Sequence, residues 1–403
     1  MKYLLIIGDG MADYPCRELG GRTPLEAANI PNMDEMARKG RCGTFLSLPE
    51  GLSTGSAVAN LSILGYDPKT CFEGRGVLEA AAMGVDVREQ DVVLRCNLIC
   101  VESGRIKSHS AGNITDVEAA ELIRDIKREF EKDNIYFHNG VSYRHVLLLR
   151  GHEFSKELIT WPPHDKVGTS IEDIPIKPVN PHAKHTASVL NEMILTSNNF
   201  LQKHPVNKKR KAQGMDEANY IWPWSPGKKP KMKTFKEKFG ITGSVISAVD
   251  LIKGTGLYAG LEPVSVPGAT GIYTTNYEGK AAACIERLRK DDFVLVHVEA
   301  SDEAAHEGNL NLKIRTIEYL DQRLIGNILK EINKVEDNVA VALLPDHFTP
   351  VIKRTHSSEP VPFVIYNPLK TGDDVAVFNE KSVLKGSYKL LKGDSFIRAF
   401  IER

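Results

Sequence analysis

The 403-residue sequence contains no Cys-x-x-Cys pair among Cys16, Cys42, Cys71, Cys96, Cys100 and Cys284. That spacing argues against a zinc ribbon and a disulfide framework, and suits reduced thiols in the cytoplasm. No apolar run approaches the roughly 18 residues of a membrane span, and the short run Tyr3–Ile7 is too brief for a signal-peptide core. An excess of one charge is also missing, since 52 Lys plus Arg balance 52 Asp plus Glu. A nucleic-acid coat protein is thereby disfavoured. No internal repeat or low-complexity tract is present. What remains is an ordinary globular composition, 42% hydrophobic and 26% charged, long enough for two to three domains at about 150 residues each.

Apolar runs alternate with helical patterns, which predicts an α/β fold. The clearest candidates for buried parallel strands are residues 3–7, 293–298, 339–344 and 363–366. A helix is expected over 116–131, where Thr115 and Glu118 spell a capping box. A second is expected over 312–333, with Ile314, Ile317, Leu320, Leu324, Ile328 and Ile332 at helical spacing.

Three of those strands end in a turn-forming residue and then an acid: Gly8-Asp9, Ala300-Ser301-Asp302 and Pro345-Asp346. Loops at the carboxyl ends of parallel strands are where open α/β sheets bind ligands. Asp302 precedes His306 by four residues, so a helix there puts both on one face. Asp346 is followed by His347, and His356 lies nine residues further on. In an extended segment Asp346 and His347 point to opposite sides, which suits two neighbouring ions. Three Asp and three His on such loops are the donor inventory of a two-metal site clamping a phosphoryl group. Imidazoles favour Mn, Zn, Fe or Co over Mg.

Residues 51–67 offer two nucleophiles. Gly51-Leu52-Ser53-Thr54-Gly55 matches the nucleophile elbow of serine hydrolases, which requires a strand running straight into it. Alternatively the glycines free a loop leading into a helix from about Ala57 to Leu64, placing Ser56 at an amino terminus that favours phosphate. Coordination to a cation would give Ser56 the nucleophilicity a free hydroxyl lacks. Gly254, Gly256 and Gly260 have the wrong spacing for a dinucleotide site, and no Walker loop occurs. Between Lys203 and Lys238 lie eleven Lys or Arg and three acids, with Trp222-Pro223-Trp224. This stretch reads either as a solvated connection punctuated by Pro205, Pro223, Pro226 and Pro230, the favoured reading, or as a nucleic-acid patch.

Gly8-Asp9-Gly10-Met11, Gly55-Ser56, Ala59-Asn60-Leu61-Ser62-Ile63-Leu64-Gly65-Tyr66-Asp67-Pro68, Asp302-Glu303-Ala304-Ala305-His306 and Asp346-His347 together resemble the archaeal-type cofactor-independent phosphoglycerate mutases of the alkaline phosphatase superfamily. Ser110-Ala111-Gly112, Tyr143-Arg144-His145, Pro163-His164-Asp165, Ala218–Trp224 and Pro267–Gly271 extend the likeness over nearly the whole chain.

The resemblance implies an α/β fold: an alkaline-phosphatase-like central sheet flanked by helices, with a smaller inserted α/β or α+β domain. Residues 1–71 and 229–403 would carry the metals and 72–228 the substrate, with a hinge and a closing cleft that excludes water. It implies one divalent ion on Asp302, His306 and His356, and a second on Asp9, Ser56, Asp346 and His347. Manganese is the first expectation, then Zn, Co or Mg, without 2,3-bisphosphoglycerate. It further implies a phosphoserine on Ser56 during interconversion of 2- and 3-phosphoglycerate, a step of glycolysis and gluconeogenesis.

Because glycerate carries a carboxylate, cationic donors are expected in the insertion: Arg144 and His109 first, then His164 and Asp165. The expected partner is a small molecule, with neither nucleic acid nor membrane; the oligomeric state stays open. No general acid or base is assigned, since Asn219 and Trp222 stand where relatives carry arginines and Arg124-Asp125 falls in an amphipathic helix. Ala57 stands where many relatives carry an acid. The alternative is another two-metal phosphotransferase or phosphomonoesterase of the superfamily, such as a phosphopentomutase or a homoserine kinase-like enzyme, because the metals see only the phosphoryl group.

Overall fold

The structure, a computed structural model, describes residues 1–132 and 134–401. The chain divides into two units, Met1–Phe72 with Lys231–Arg403, and Glu73–Pro230.

The first unit is built on an eight-stranded sheet. Its order is Glu262–Val264, Gly243–Ile246, Phe293–Val298, Lys2–Gly8, Val339–Leu344, Val361–Tyr366, Arg41–Leu46 and Lys389–Lys392. Lys2–Gly8 pairs in parallel with both Phe293–Val298 and Val339–Leu344, so the three strands that precede Asp9, Asp302 and Asp346 lie side by side. These strands are buried on both faces, which explains their near-continuous apolar sequence. Alternate residues feed two cores: Leu4, Ile6, Val294, Val296, Val341 and Leu343 on one face, and Leu5, Ile7, Phe293, Leu295, Ala342 and Leu344 on the other. The first layer is closed by helices Pro31–Lys39 and Tyr277–Leu288 and the helical stretch after Leu310. The second is closed by Ser56–Ile63, Asp250–Tyr258 and Ser395–Phe400.

Two expectations need correction. Val361–Tyr366, anticipated as parallel, runs antiparallel to both Val339–Leu344 and Arg41–Leu46. No crossover helix separates it from the preceding strand, as a parallel return would need; the intervening loop stays at one edge and carries Asp346, His347 and His356. Within 203–238 only residues 228–234 are the expected connection between units; the rest is folded. It forms helix Pro205–Ala212, strand Tyr220–Gly227 and helix Phe235–Phe239. Trp222 and Trp224 are buried in the core of the second unit. Arg210 is buried, donating to Glu118 Oε2 at 2.8 Å and to the Ala111 carbonyl at 2.7 Å.

The expected helix at 312–333 is a continuous helical stretch with a wide turn. Leu310–Tyr319 is α-helical, Leu320–Ile325 is a π-helix, and Gly326–Glu331 is α-helical again. The π-turn presents Asp321, whose carboxylate accepts from the backbone N–H of Met33 at 2.7 Å and of Asn32 at 3.3 Å. Helix Pro31–Lys39 has no side-chain cap from its own Ile30, so Asp321 supplies the missing acceptor and a favourable charge at the dipole's positive end.

The second unit is α+β. Strand Val92–Glu102 pairs antiparallel with Arg105–Ser108, Arg144–Leu149 and Tyr220–Gly227, and Ile135–Val141 completes the sheet. Helix Asp116–Phe130 carries the expected capping box of Thr115 and Glu118. With helix Lys184–Leu201 it packs on one core containing Leu94, Leu122, Ile126, Leu190 and Trp222.

Candidate metal centre and active site

The carboxyl ends of the central parallel strands converge on a cluster of buried acids and imidazoles. Asp9 follows Gly8 directly, and a sharp turn at Gly10 exposes its carboxylate to the cluster. Gly10 has φ +59°, and a Cβ there would lie 2.5 Å from Asp302 Oδ1 and 2.6 Å from Thr349 Oγ1. Only glycine fits that conformation and that approach. Its N–H donates to Asp346 Oδ1 at 3.2 Å.

Helix Ala300–His306 sets Asp302 and His306 one turn apart. His306 Nε2 lies 3.1 Å from Asp302 Oδ2 and 3.0 Å from His356 Nε2, and His356 Nε2 lies 3.6 Å from Asp302 Oδ1. Beside this set, His347 Nε2 is 3.2 Å from Ser56 Oγ, 3.5 Å from Asp9 Oδ1 and 3.6 Å from Asp346 Oδ2. A tetrahedral ion with bonds of about 2.1 Å keeps its ligand atoms about 3.4 Å apart, so both sets have the spacing of a coordination shell. His347 faces both sets, since its ring also groups with Asp302 and His356. The chain bends at Asp346 and His347 rather than extending. The two side chains therefore face the same cluster, contrary to the opposed arrangement expected of an extended segment.

Ser56 is the first residue of helix Ser56–Ile63, whose N-cap Gly55 offers no side-chain acceptor. The first-turn N–H groups are thus left for an anion. Ser53 lies exposed in a loop that no strand enters, since the preceding strand ends at Leu46; the hydrolase elbow is absent. Asn60, one turn after Ser56, donates to Asp346 Oδ2 at 3.1 Å and to the Ser56 carbonyl at 2.8 Å, tying the start of this helix to the acid.

The electrostatics of this cluster suits cations. Asp9, Asp302 and Asp346 are all buried, and among the described residues no Lys or Arg forms an ion pair with any of them. Burial, then the neighbouring charges of Asp346 and Asp302, pushes the Asp9 carboxyl well above its ordinary range. Burial lowers His347, and lowers His297 to about 4, which keeps both rings neutral and able to ligate. Bound cations would replace an unfavourable concentration of buried negative charge with coordinated ligands.

Thr349, which sequence reasoning missed, links the two sets. Its hydroxyl donates to Asp302 Oδ1 at 2.5 Å and lies 3.1 Å from His347 Nδ1. With its proton on Asp302, it accepts from His347 Nδ1–H, which leaves the His347 Nε2 lone pair for a cation. The fully buried Lys313 amine holds this loop, bonding to Asp13 Oδ2 at 2.8 Å and to the Thr349 carbonyl at 2.9 Å. A separate cavity of about 600 Å³ opens near the start of Val339–Leu344, lined among others by Asn32, Lys330, Asp337 and Tyr366, and shares no residue with the cluster.

The second unit brings together most of the residues expected to meet a carboxylate. The His109 and His164 rings are 6.1 Å apart, and His164 Nε2 lies 3.7 Å from Asp165 Oδ1. Tyr143 connects His109, at 5.7 Å, to the Arg144 guanidinium, at 5.8 Å. Arg75 and Arg95 were not anticipated. The Arg95 guanidinium stacks 4.7 Å over Trp224, which itself lies 5.5 Å from His164. Burial, followed by Asp165 acting in the opposite sense and then by the charges of Arg75, His109 and Arg95, lowers the His164 pKa. Asp125, in contrast, is taken by His204 Nε2 at 3.1 Å and by Arg128 within the folded unit.

Acids and imidazoles gathered round a hydroxyl at a helix start, on the carboxyl edge of a parallel sheet, define an α/β enzyme of the class that handles phosphoryl groups with divalent cations. A family model described as 2,3-bisphosphoglycerate-independent phosphoglycerate mutase matches residues 37–207. The protein of that name from Methanosarcina acetivorans is 46% identical over 403 residues, covering 100% of both chains. A probable counterpart from Geobacter sulfurreducens is 42% identical over 410 residues, again covering 100% of both. Among solved structures, a protein from Pyrococcus horikoshii superposes with a TM-score of 0.83 at 30% identity, covering 99% of this chain and 97% of that one. The cofactor-independent phosphoglycerate mutase from Thermoplasma acidophilum gives 0.69 at 29% identity, covering 100% and 99%. The chain belongs to the 2,3-bisphosphoglycerate-independent phosphoglycerate mutase family.

Proposed function

We propose that this chain interconverts 2- and 3-phosphoglycerate by passing the phosphoryl group through Ser56, with two divalent cations on the acid and histidine cluster. The observation that carries this reading is Ser56 Oγ, 3.2 Å from His347 Nε2 and at the first residue of its helix. In the forward step the Ser56 hydroxyl loses its proton and Oγ bonds to phosphorus as the bond to the glycerate C2 oxygen breaks. The departing C2 oxygen takes up the proton that Ser56 gave up; the C3 hydroxyl then loses its proton as it attacks the phosphoserine, and the released Oγ takes a proton back, so no 2,3-bisphosphoglycerate is needed. Cations on Asp302, His306 and His356, and on Asp9, Ser56, Asp346 and His347, would favour the deprotonated hydroxyl and offset charge on the phosphoryl oxygens. Imidazole-rich ligand sets favour manganese, cobalt or zinc over magnesium.

The second unit is proposed as the substrate domain. Its Arg144, Arg75 and Arg95 guanidiniums would receive the glycerate carboxylate, with the His109 and His164 rings as hydrogen-bond donors beside them and Asp165 holding His164. An arginine fork matches a carboxylate in two hydrogen bonds. The test is conversion of 3-phosphoglycerate without added bisphosphoglycerate, with bound metal measured in parallel. Ser56→Ala is expected to abolish conversion while retaining metal, and Arg144→Ala to raise KM about tenfold or more with smaller change in kcat. Undiminished turnover in Ser56→Ala would overturn the nucleophile assignment; an unchanged KM in Arg144→Ala would remove that residue from the carboxylate site.

A further inference from the structure

His297 sits in the middle of the apolar strand Phe293–Val298 and is buried. Neither ring nitrogen has a hydrogen-bond partner among the described residues, and Asp9 Oδ1 is orphaned as well. The great majority of buried polar groups are hydrogen-bonded, and leaving one unpaired is costly. Two orphaned nitrogens on one ring, beside a carboxylate whose other oxygen is orphaned, therefore need an explanation. His297 Nε2 lies 3.2 Å from Asp9 Oδ2, but not in line for a hydrogen bond. Its backbone carbonyl accepts from the Lys280 amine at 2.9 Å, which anchors the strand and leaves the ring free.

Strand register puts the ring in this place. His297 pairs with Ile7, and Asp9 stands two residues beyond Ile7, on the same side of the sheet. Asp9 is thereby flanked by two imidazoles: Oδ2 faces His297 Nε2 at 3.2 Å and Oδ1 faces His347 Nε2 at 3.5 Å. Donor atoms of Asp9, His297 and Asp346 lie within 4.8 Å of one another.

We propose that His297 is a further ligand of the cation held by Asp9, Ser56, Asp346 and His347, so that each ion of the pair is bound by two imidazoles. The inference rests on the two-cation reading above. With His306 and His356 on one ion, and His347 and His297 on the other, both sites present the mixed nitrogen and oxygen donors that suit manganese, cobalt or zinc. Neither presents the all-oxygen shell preferred by magnesium.

Two measurements on the full chain test this. The first counts Mn²⁺ bound to wild type, His297→Leu and His297→Asn by equilibrium dialysis, with folding checked by circular dichroism. Wild type is expected to hold two ions, and each folded variant one at the same free Mn²⁺, with the second affinity reduced at least tenfold. The second records long-range ¹H–¹⁵N spectra of ¹⁵N-histidine-labelled wild type, metal-free and Zn²⁺-loaded, and needs no variant to fold. Four histidines should shift a ring nitrogen on loading, with His297 assigned among them. Two ions bound by wild type, with the His297 ring unmoved or affinity unchanged in the variants, would overturn the inference and leave the two-cation reading intact. Wild type that binds no cation would overturn both.

Discussion

Asp302 makes His306, proposed above as a ligand, proton-sensitive. Its hydrogen bond to the ring is the main reason the metal-free imidazole is raised to about 9. A ligating imidazole must be neutral, so a cation arriving at lower pH has to displace a proton. The sign follows: affinity rises with pH up to about 9 and levels off above it. Each pH unit below that value is expected to weaken binding at this ion about tenfold, or about 1.4 kcal/mol. Calorimetric titration of Mn²⁺ at pH 6, 7 and 8, in buffers of different ionisation enthalpy, should show this slope and about one proton released; a flat affinity with no proton release would contradict it. At this scale the sequence was informative wherever an acid or histidine followed a strand, as with Asp9, Asp302, His306, Asp346, His347 and His356. It was silent on His297, hidden inside a run of valines and leucines, and on Thr349, whose role depends on a contact with Asp302 distant in sequence. Arg95 was hidden in the same way, within the apolar strand Val92–Glu102.

The turn at Gly10 joins the strand Lys2–Gly8 to the cluster without space for a side chain. Gly10→Ala combines a left-handed backbone with a Cβ driven against Asp302 and Thr349. The expected cost is about 1–3 kcal/mol of stability, together with weakened Mn²⁺ binding as the two side chains give way. Chemical denaturation and metal titration of the variant measure both; wild-type values in each would contradict this account of the turn. Helical spacing made the segment after Leu310 legible as a helix, but not its π-turn, which is visible only once Asp321 is seen bonded to Asn32 and Met33. The basic segment 203–238 was misread over most of its length, where proline and lysine were taken for the solvated connection that only residues 228–234 form. Pro223 and Pro226 instead lie in Tyr220–Gly227, which pairs along Val92–Glu102, and helix Pro205–Ala212 begins with its proline at a position that needs no N–H.

Across the whole chain, the alternation of apolar runs and helices carried the α/β architecture of the first unit, because a doubly covered sheet writes its strands as continuous hydrophobic sequence. Strand direction was less legible, since Val361–Tyr366 is as apolar as the parallel strands and only the helix-free connection over residues 345–360 reverses it. No helix among the described residues is long and apolar enough to cross a membrane. Phosphoryl transfer is expected to depend on cations held by the acid and histidine cluster of the first unit, since without them three buried carboxylates face one another beside Ser56. The most direct test is conversion of 3-phosphoglycerate to 2-phosphoglycerate by the full chain, without bisphosphoglycerate, before chelation, after exhaustive chelation and after return of Mn²⁺. Activity should disappear with the metal and recover as about two Mn²⁺ per chain are restored. Full activity in folded protein shown to be free of metal would contradict it.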